Sequence, residues 1–479
     1  GLPDSAVKES HQRIISALQV NGYKMPTTNI VVNMAPADIR KEGSAYDLPL
    51  AIGLLGANET ISSEKFSRYL LMGELSLDGS IQPIKGALPI AIKAREDGFE
   101  GLIIPQQNAR EAAVVNQLKV YGVSNIREVI EFFNNERELE PTVVNTREEF
   151  YQQQTNCDLD FADVKGQENV KRALEVAAAG GHNLIMVGAP GSGKSMMAKR
   201  LPSILPPLSL GESLETTKIH SVAGQLKRGS SLISQRPFRD PHHTISQVAM
   251  VGGGSFPQPG EISLAHHGVL FLDELPEFNR SVLEVLRQPL EDRHISISRA
   301  KYSLDYPASF MLVASMNPCP CGYYNHPTKA CVCNPGQVQR YLNRISGPLL
   351  DRIDIQIEIV PVPFEKISEK QQAESSASIR ERVICARKMQ EKRFANHPGV
   401  YCNAQMESRL LHLYAEPDEQ GLNLLRNAMT RLNLSARAYD RILKVARTIA
   451  DLDHSEQVTS IHLAEAISYR NLDRESWAG

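Results

Sequence analysis

The chain of 479 residues has a net charge of −3 at pH 7, with 42% hydrophobic and 22% charged residues. These proportions are those of soluble globular proteins, and the length predicts about three domains. The charge excludes a global attraction to nucleic acid, so any such binding must come from local basic loops. Since no apolar run approaches the roughly 18 residues of a membrane span and no secretory leader is visible, we expect a cytoplasmic protein.

Four stretches of different pattern follow one another along the chain. Residues 1–133 alternate strand-like and helix-like runs, as in an α+β domain, and residues 134–160 are polar, as in a linker. Residues 161–360 predict a βαβ fold with a mostly parallel sheet, and residues 361–479 have helical apolar spacing. We therefore predict a multidomain α/β protein with an all-helical C-terminal domain. Because the chain opens on Gly1, we expect the first domain to lack an N-terminal piece.

A glycine-rich loop is the clearest motif. It fits G-x-x-x-x-G-K-[ST] at every required position, and its residues are Gly188, Ala189, Pro190, Gly191, Ser192, Gly193, Lys194 and Ser195. The flanking runs predict the strand and helix that the motif needs. In such a loop the backbone N–H groups surround a polyphosphate, Lys194 reaches the outer phosphates and Ser195 ligates Mg²⁺. An ordinary Gly-rich turn is the alternative.

Two further strand-like runs end in polar residues that suit this chemistry. One is followed by Asp273 and Glu274, and the other by Met316 and Asn317. In a phosphate-loop enzyme, Asp273 would hold the hydration shell of Mg²⁺ and Glu274 would polarise the attacking water. Asn317 would hydrogen-bond the γ-phosphate and that water, although Asn before Pro is also common in turns.

Four of the seven cysteines crowd into one short segment as two C-x-C pairs: Cys319, Cys321, Cys331 and Cys333. Four thiolates satisfy a tetrahedral structural Zn²⁺ site without an open catalytic position. Disulfide pairing or chance clustering is the alternative, since C-x-C is tighter than the usual C-x2-C. Because the segment follows Asn317 directly, a bound zinc ion would fix the loop that carries this residue.

Residues 293–305 contain two alternating strands joined by a basic tip, which predicts a hairpin. Arg299 and Lys301 lie at the tip. Repeated around a ring, they would make a positive channel for a phosphate backbone. Basic residues at an exposed hairpin edge also prevent sheet aggregation, and this is the alternative.

With these motifs in place, the chain resembles the AAA+ ATPases, and within them the magnesium-chelatase-like branch. By that resemblance Lys194 and Ser195 belong to the Walker A motif, Asp273 and Glu274 to Walker B, and Asn317 is sensor 1. The hairpin is similar to the one that precedes sensor 1 in the same branch. In a ring of such proteins, hairpins of this kind face the central pore.

The same resemblance assigns further residues of the ATP site. The segment with Val164, Gly166 and Gln167 is similar to the one that cradles adenine in these ATPases. Arg352 resembles the arginine finger that reaches the γ-phosphate of a neighbouring subunit, and Arg437 resembles sensor 2. An ordinary salt bridge is the alternative for both arginines. If Arg352 acts in trans, an isolated subunit is incomplete, which implies a ring, most often a hexamer.

Residues 1–133 resemble the Lon-protease-like domain. Lon proteases cut with a Ser/Lys dyad, but Ala45 falls at the nucleophile position here, unless the register shifts to Ser44. Leu88 falls at the lysine position, with Lys85 three residues earlier. We therefore expect an inactive protease scaffold that is used for ring building or DNA contact.

The order of these parts resembles the ComM/YifB family of bacterial proteins over nearly the whole chain. The resemblance implies a homohexameric, DNA-dependent ATPase that uses ATP and Mg²⁺. It also implies branch migration of single-stranded and branched DNA during natural transformation, together with recombination proteins. The alternative is a chelatase-like motor that remodels a protein partner, because its core would look the same. Strong salt dependence of DNA binding through Arg299 and Lys301 would favour the helicase.

Overall fold

The computed structural model describes residues 5–25, 29–34, 43–153, 159–227, 229–254, 257–299, 302–324, 326, 328–362, 373–432 and 434–470. The chain forms two compact units. The first unit comprises Gly1–Gln153 and Ser209–Ser234, and the second comprises Gln154–Leu208 and Gln235–Gly479. Among the described helices, none combines the length and the apolarity needed to cross a membrane.

The N-terminal part of the first unit is a small α/β structure. Its helices are α1 (Ser5–Val20), α2 (Asp47–Ala57), α3 (Ala87–Glu96), α4 (Gln106–Ala112), α5 (Ile126–Phe133) and α6 (Thr146–Gln153). Its strands are β1 (Tyr69–Leu71), β2 (Glu74–Leu75), β3 (Ile81–Gln82), β4 (Gly101–Pro105) and β5 (Lys119–Val123). Strands β1, β4 and β5 form a parallel sheet, and β2 pairs with β3 in antiparallel orientation.

The remaining elements mix strands and helices up to β14, as the βαβ pattern of residues 161–360 predicted, and are helical after it. The helices are α7 (Glu168–Gly180), α8 (Lys194–Arg200), α9 (Leu210–Ala223), α10 (Gln247–Val251), α11 (Glu261–Leu264), α12 (Arg280–Glu284), α13 (Arg287–Asp292), α14 (Pro335–Leu342), α15 (Gly347–Leu350), α16 (Ser376–Phe394), α17 (Ser408–Tyr414), α18 (Glu419–Arg431), α19 (Ala436–Leu452) and α20 (Ser460–Ser468). The strands are β6 (Leu184–Gly188), β7 (Phe238–Arg239), β8 (Gly252–Gly253), β9 (Gln258–Pro259), β10 (Val269–Leu272), β11 (His294–Arg299), β12 (Tyr302–Pro307), β13 (Met311–Met316) and β14 (Ile355–Ile359).

A parallel sheet is the centre of the second unit, which confirms the predicted sheet type. Its strand order is β14-β6-β13-β10-β7 among the described strands. Successive side chains of a strand point to opposite faces. Leu184 and Met186 of β6 accordingly pack in one hydrophobic core, and Ile185 and Val187 pack in the other. Both faces are covered, as parallel sheets require.

The C-terminal part of the second unit consists of α16 to α20 in the described residues. The predicted apolar stripe of α19 is buried, with Ile442, Val445 and Ile449 each at most 1% exposed. This stripe shares its core with the sheet face that β6 presents through Leu184 and Met186. The helical pattern of this region is therefore confirmed, while its role as a lid stays a prediction.

Helix α9 packs in the first unit, although it follows α8 in sequence. Leu214 of α9 contacts the core that contains Leu88 of α3, and the Ser221 hydroxyl donates to the Glu111 carboxylate. The backbone N–H of Gly86 donates to the Ser221 carbonyl at 3.0 Å. The sequence placed residues 161–360 in one continuous domain, whereas these contacts assign α9 to the first unit.

Candidate nucleotide-binding site

Three neighbouring parallel strands bring the predicted polar residues to one edge of the sheet. β6 ends at Gly188, β10 is followed by Asp273, and β13 is followed by Asn317. β13 lies between the other two strands and pairs with both in parallel register. Because ligands of open parallel sheets bind outside the carboxyl ends of the strands, this edge is the candidate site.

The glycine-rich loop needs its glycines for two reasons. Gly191 and Gly193 have φ angles of +79° and +94°, which favour glycine because it has no Cβ atom. A Cβ atom added to Gly188 would lie 2.6 Å from the carbonyl oxygen of Ile359 in β14. The loop thus turns tightly against the sheet edge, as loops that surround an anion with backbone N–H groups do.

Lys194 is buried and folds back onto the loop. Its ammonium group donates to the carbonyls of Gly188 at 2.7 Å and Ala189 at 2.9 Å, and to Oδ1 of Asn317 at 3.2 Å. Burial lowers the pKa of Lys194, and the two nearby carboxylates of the site oppose this shift. The predicted lysine and the predicted sensor asparagine are therefore in direct contact.

Asp273 is held at both carboxylate oxygens. Oδ2 accepts a hydrogen bond from the Ser195 hydroxyl at 2.6 Å. Oδ1 accepts from the Ser315 hydroxyl and from the backbone N–H of Glu274, the latter at 3.1 Å. Hydroxyl and carboxylate oxygens are the ligands that Mg²⁺ prefers, so Ser195 and Asp273 fit this ion.

Ser315 is a site residue that the sequence analysis missed. It is fully buried in β13 and looks like any small strand residue in the sequence. Only the parallel register of β10 and β13 places it beside Asp273. A polar residue two positions before Asn317 was the available signal.

Glu274 occupies a tight turn directly after β10. Its φ angle is +54°, which is uncommon for a residue other than glycine and recurs at functional sites. Its backbone N–H donates to Asp273 and also, at 3.4 Å, to the Ser315 hydroxyl. The residue is exposed, and its role in activating water stays a prediction.

The predicted adenine segment lies beside the glycine-rich loop. Val164 is buried, and Gly166 and Gln167 have φ angles of +67° and +61°. The Gln167 amide donates to the carbonyl of Val360 at 2.6 Å. Val360 follows β14, whose last residue pairs with Gly188. The segment and the loop thus meet at β14, while contact with adenine stays a prediction.

Arg352 is 7% exposed and is paired within its own chain. Its Nη1 donates to the Pro348 carbonyl at 2.6 Å, and its Nη2 forms an ion pair with Glu291 of α13. Its Nε has no hydrogen-bond partner among the described residues. To reach a neighbouring subunit, the guanidinium group has to turn away from Glu291. Its role as an arginine finger stays a prediction.

Arg437 lies at the start of α19 with a side chain that is 67% exposed. Its guanidinium group is 3.7 Å from the carboxylate of Asp351. One turn further along α19, Arg441 donates to the buried Asp354 at 2.9 Å. Helix α19 therefore contacts the segment of Arg352 on both sides of that residue.

The four cysteines form one cluster, with all sulfur atoms within 4.8 Å of one another. The Sγ atom of Cys321 lies 3.3 Å from that of Cys319 and 3.5 Å from that of Cys331, and the Sγ atoms of Cys319 and Cys331 are 3.7 Å apart. A disulfide requires about 2.05 Å, whereas Zn–S bonds of about 2.3 Å give a tetrahedron with edges of about 3.8 Å. Burial raises the pKa of Cys321, but backbone N–H donors and the neighbouring sulfurs lower it to about 6. The cluster therefore fits a thiolate-binding metal ion.

The predicted hairpin is confirmed as the antiparallel pair β11 and β12. Ile295 and Ile297 are buried, which anchors one face of β11. Arg299 is the last residue of β11, and Lys301 lies outside the described residues. DNA contact by these two residues stays a prediction.

The first unit shows what occupies the dyad positions of the Lon-like resemblance. The Ser44 hydroxyl donates to the carboxylate of Glu74. Leu88 is fully buried in the core around α3, and its backbone N–H donates to Glu111 at 3.0 Å. The lysine position thus holds a core residue. The absence of protease activity stays a prediction.

Comparison with known families identifies three matches that together cover most of the chain. The family described as "Magnesium chelatase, subunit ChlI" matches residues 160–367. "Subunit ChlI of Mg-chelatase" matches residues 1–108, and "Magnesium chelatase, subunit ChlI C-terminal" matches residues 373–470.

Individual relatives extend over nearly the full length. The chain is 44% identical over 481 residues to the uncharacterized protein YifB of Escherichia coli, covering 99% of this chain and 91% of that protein. It is 42% identical over 475 residues to the competence protein ComM of Haemophilus influenzae, covering 99% and 92%. Lon protease 2 of Bacillus subtilis is 31% identical over 161 residues, covering 30% of this chain and 27% of the protease.

Proposed function

The chain belongs to the ComM/YifB family of magnesium-chelatase-like AAA+ ATPases, and from this premise we propose that it is an ATP-driven DNA motor. The motor works as a branch-migration helicase, which extends heteroduplex in homologous recombination during natural transformation. The observation that carries the proposal is the meeting of Lys194, Ser195, Asp273 and Asn317 at one sheet edge.

The proposed chemistry is hydrolysis of ATP. Lys194 exchanges its bonds to the loop carbonyls for bonds to the outer phosphates, and Asn317 binds the γ-phosphate beside it. Glu274 orients and polarises the attacking water. Ser195 and Asp273 would hold Mg²⁺, which neutralises charge on the transferring phosphoryl group.

We propose that the active form is a homohexameric ring. In a ring, Arg352 of one subunit would reach the ATP of the next subunit and stabilise the charge of the transition state. Arg437 on α19 would report the nucleotide state to the C-terminal helices, which would act as a lid. The resting ion pair of Arg352 with Glu291 is compatible with this role, because Glu291 is half exposed and the pair is open to exchange.

We propose single-stranded and branched DNA as the substrate, bound in the pore by Arg299 and Lys301 of the β11–β12 hairpin. The name of the Haemophilus influenzae relative, a competence protein, supports a role in competence. Recombination proteins would deliver the DNA in the cytoplasm. The Lon-like first unit would build the ring or contact DNA rather than cut peptides.

We also propose Zn²⁺ as the structural ion of the cysteine cluster. Four thiolates without an open position suit a structural role. Ordinary metal analysis tests the assignment, which predicts one zinc ion per chain under reducing conditions.

The experiment that tests the proposed function is the ATPase rate with and without single-stranded DNA, at low and at moderate salt. Lys194→Ala removes the phosphate contact and is expected to abolish hydrolysis. Lys301→Ala is expected to keep the basal rate and to lose the stimulation by DNA. The matched control is Lys388→Ala, an exposed lysine of α16, for which we expect wild-type stimulation.

Stimulation that falls steeply with salt supports a DNA motor, because release of counterions from the phosphate backbone makes such binding salt-dependent. Branch migration of a four-way junction is then the next measurement. A rate that is indifferent to DNA would reject the DNA motor in favour of a chelatase-like motor that remodels a protein partner.

A further inference from the structure

The cysteine cluster is in direct contact with the glycine-rich loop. We call residues 319–333, which carry the four cysteines, the cysteine loop. Gly322 of this loop follows Cys321 directly and has a φ angle of +84°. A Cβ atom added to Gly322 would lie 2.4 Å from Cδ and 2.7 Å from Cγ of Pro190. The backbone of the cysteine loop therefore lies against the Pro190 ring without space for a side chain.

The two ends of the cysteine loop are anchored in the second unit. Cys319 is fully buried and lies two residues after Asn317, the partner of Lys194. Cys333 lies two residues before α14, which buries Val338 and Tyr341 in the core. A metal ion bound by all four sulfurs would therefore tie the end of β13 to the start of α14.

The glycine-rich loop is enclosed between two surfaces. On one side, Gly188 approaches the carbonyl of Ile359 in β14 too closely for a Cβ atom. On another side, Gly322 covers Pro190. Without a metal ion, the segment would have four thiols in place of one cross-link, and its ordering would cost conformational entropy.

We propose that the metal-bound cysteine cluster is a brace that holds the glycine-rich loop in its nucleotide-binding form through the contact of Gly322 with Pro190. The inference rests on the proposed nucleotide site. It assigns the metal ion a mechanical role at a distance from the phosphates. If loss of the brace leaves the loop in its binding form one tenth of the time, the apparent affinity for nucleotide falls about tenfold.

The experiment measures zinc content and nucleotide affinity separately on the full chain. Zinc is determined by atomic emission, and affinity by titration with a fluorescent ATP analogue and Mg²⁺. We expect zinc removal by a chelator, or Cys331→Ser, to weaken nucleotide binding about tenfold, and zinc addition to restore it in the wild type. Unchanged affinity in folded, zinc-free protein would overturn the inference.

A second variant keeps the test decisive if Cys331→Ser fails to fold. Gly322→Ala is expected to keep its zinc and still to weaken nucleotide binding, because its Cβ atom displaces Pro190. The matched control is Gly399→Ala, which has the same kind of φ angle, +85°, but no atom of the described residues within 4 Å of the added Cβ. Wild-type affinity in zinc-loaded Gly322→Ala would overturn the inference.

Pro190→Ala tests the coupling from the other side. In this variant the contact is already lost, so zinc removal is expected to change affinity by less than about twofold. A full tenfold effect of zinc in Pro190→Ala would show that the brace acts elsewhere and would overturn the inference. Failure of zinc-loaded wild-type protein to bind nucleotide would instead reject the proposed function.

Discussion

Asp273 has both carboxylate oxygens engaged by donors of its own chain. Ser195 donates to one oxygen, and Ser315 and the backbone of Glu274 donate to the other. The orientation of a metal-binding carboxylate is set by such outer partners, and their loss typically lowers activity 10–100-fold in other metal sites. In the proposed Mg²⁺ site, Ser315 would thus be a positioning residue.

We expect Ser315→Ala to lower ATP turnover at least about tenfold and to raise the Mg²⁺ concentration needed for half-maximal rate. The reason is that Asp273 loses a donor on Oδ1 and gains freedom to rotate. The measurement is the ATPase rate as a function of Mg²⁺. Ser468→Ala, at the end of α20, is the control and should behave as wild type. An unchanged Mg²⁺ dependence in Ser315→Ala would show that the hydroxyl only fills space.

For Arg352 we expect the alanine variant to lose hydrolysis by at least about a thousandfold while nucleotide binding is nearly intact, as for other arginine fingers. Glu291→Gln separates this role from a structural one. If the ion pair only stabilises the fold, Glu291→Gln will reproduce the defect of Arg352→Ala. If Arg352 acts on a neighbouring subunit, Glu291→Gln will keep its turnover. If Arg352→Ala lost only nucleotide binding, this would count against the role of Arg352 as an arginine finger.

At the scale of elements, helix α19 is joined to the sheet by buried polar groups. His182, which follows α7, is fully buried. Its Nε2 lies 2.7 Å from the hydroxyl of Thr448 in α19, and its Nδ1 lies 3.3 Å from the carboxylate of Asp354. Arg441 of α19 donates to the same Asp354. Burial lowers the pKa of His182, although Asp354 opposes the shift. These buried contacts join α19 to the segment that precedes β14.

The lowered pKa of His182 makes the free energy of unfolding depend on pH. Below about pH 6.5 the unfolded chain protonates this histidine while the folded chain does not, so stability decreases as the pH falls. We expect a contribution of at most about 1.4 kcal/mol per pH unit. Unfolding in urea between pH 7.5 and 5.5 should show a smaller loss in His182→Gln than in wild type. His454→Gln, an exposed histidine, should retain the wild-type slope; equal slopes in both variants would contradict the prediction.

At the scale of the whole molecule, the first unit is completed by a segment from the middle of the chain. The segment Ser209–Ser234 leaves and rejoins the second unit at adjacent points, since Arg236 donates to the carbonyl of Pro206 at 2.6 Å. The chain thus passes between the two units more than once, at residues 153–154, 208–209 and 234–235.

This arrangement predicts the behaviour of a fragment. A chain that begins at residue 159 leaves α9 without the core around Leu88, so its apolar side chains, including Leu214, become exposed. We expect this fragment to aggregate, and a second fragment with a short Gly/Ser linker in place of residues 209–234 to remain monodisperse in size-exclusion chromatography. Equal solubility of both fragments would contradict the packing of α9 in the first unit.

The sequence by itself determined the glycine-rich loop on which the proposed ATP chemistry rests, because this loop is a local motif whose glycines are required by backbone conformation. It also determined the parallel sheet and the C-terminal helices, since apolar periodicity records which face of an element is buried. The hairpin and the grouping of the cysteines were local as well. Lys194, Asp273 and Asn317 were assigned to one site from their motifs, and the structure brings the segments that carry them together.

Only the tertiary structure decided what depends on pairs of residues distant in sequence. The register of β10 and β13 brought Ser315 to Asp273, and the packing of Gly322 on Pro190 joined the cysteine loop to the phosphate loop. The burial of Arg352 against Glu291 and the transfer of α9 to the first unit are of the same kind. Periodicity shows that a face is buried but not against which partner, because that choice depends on how the complete set of elements packs.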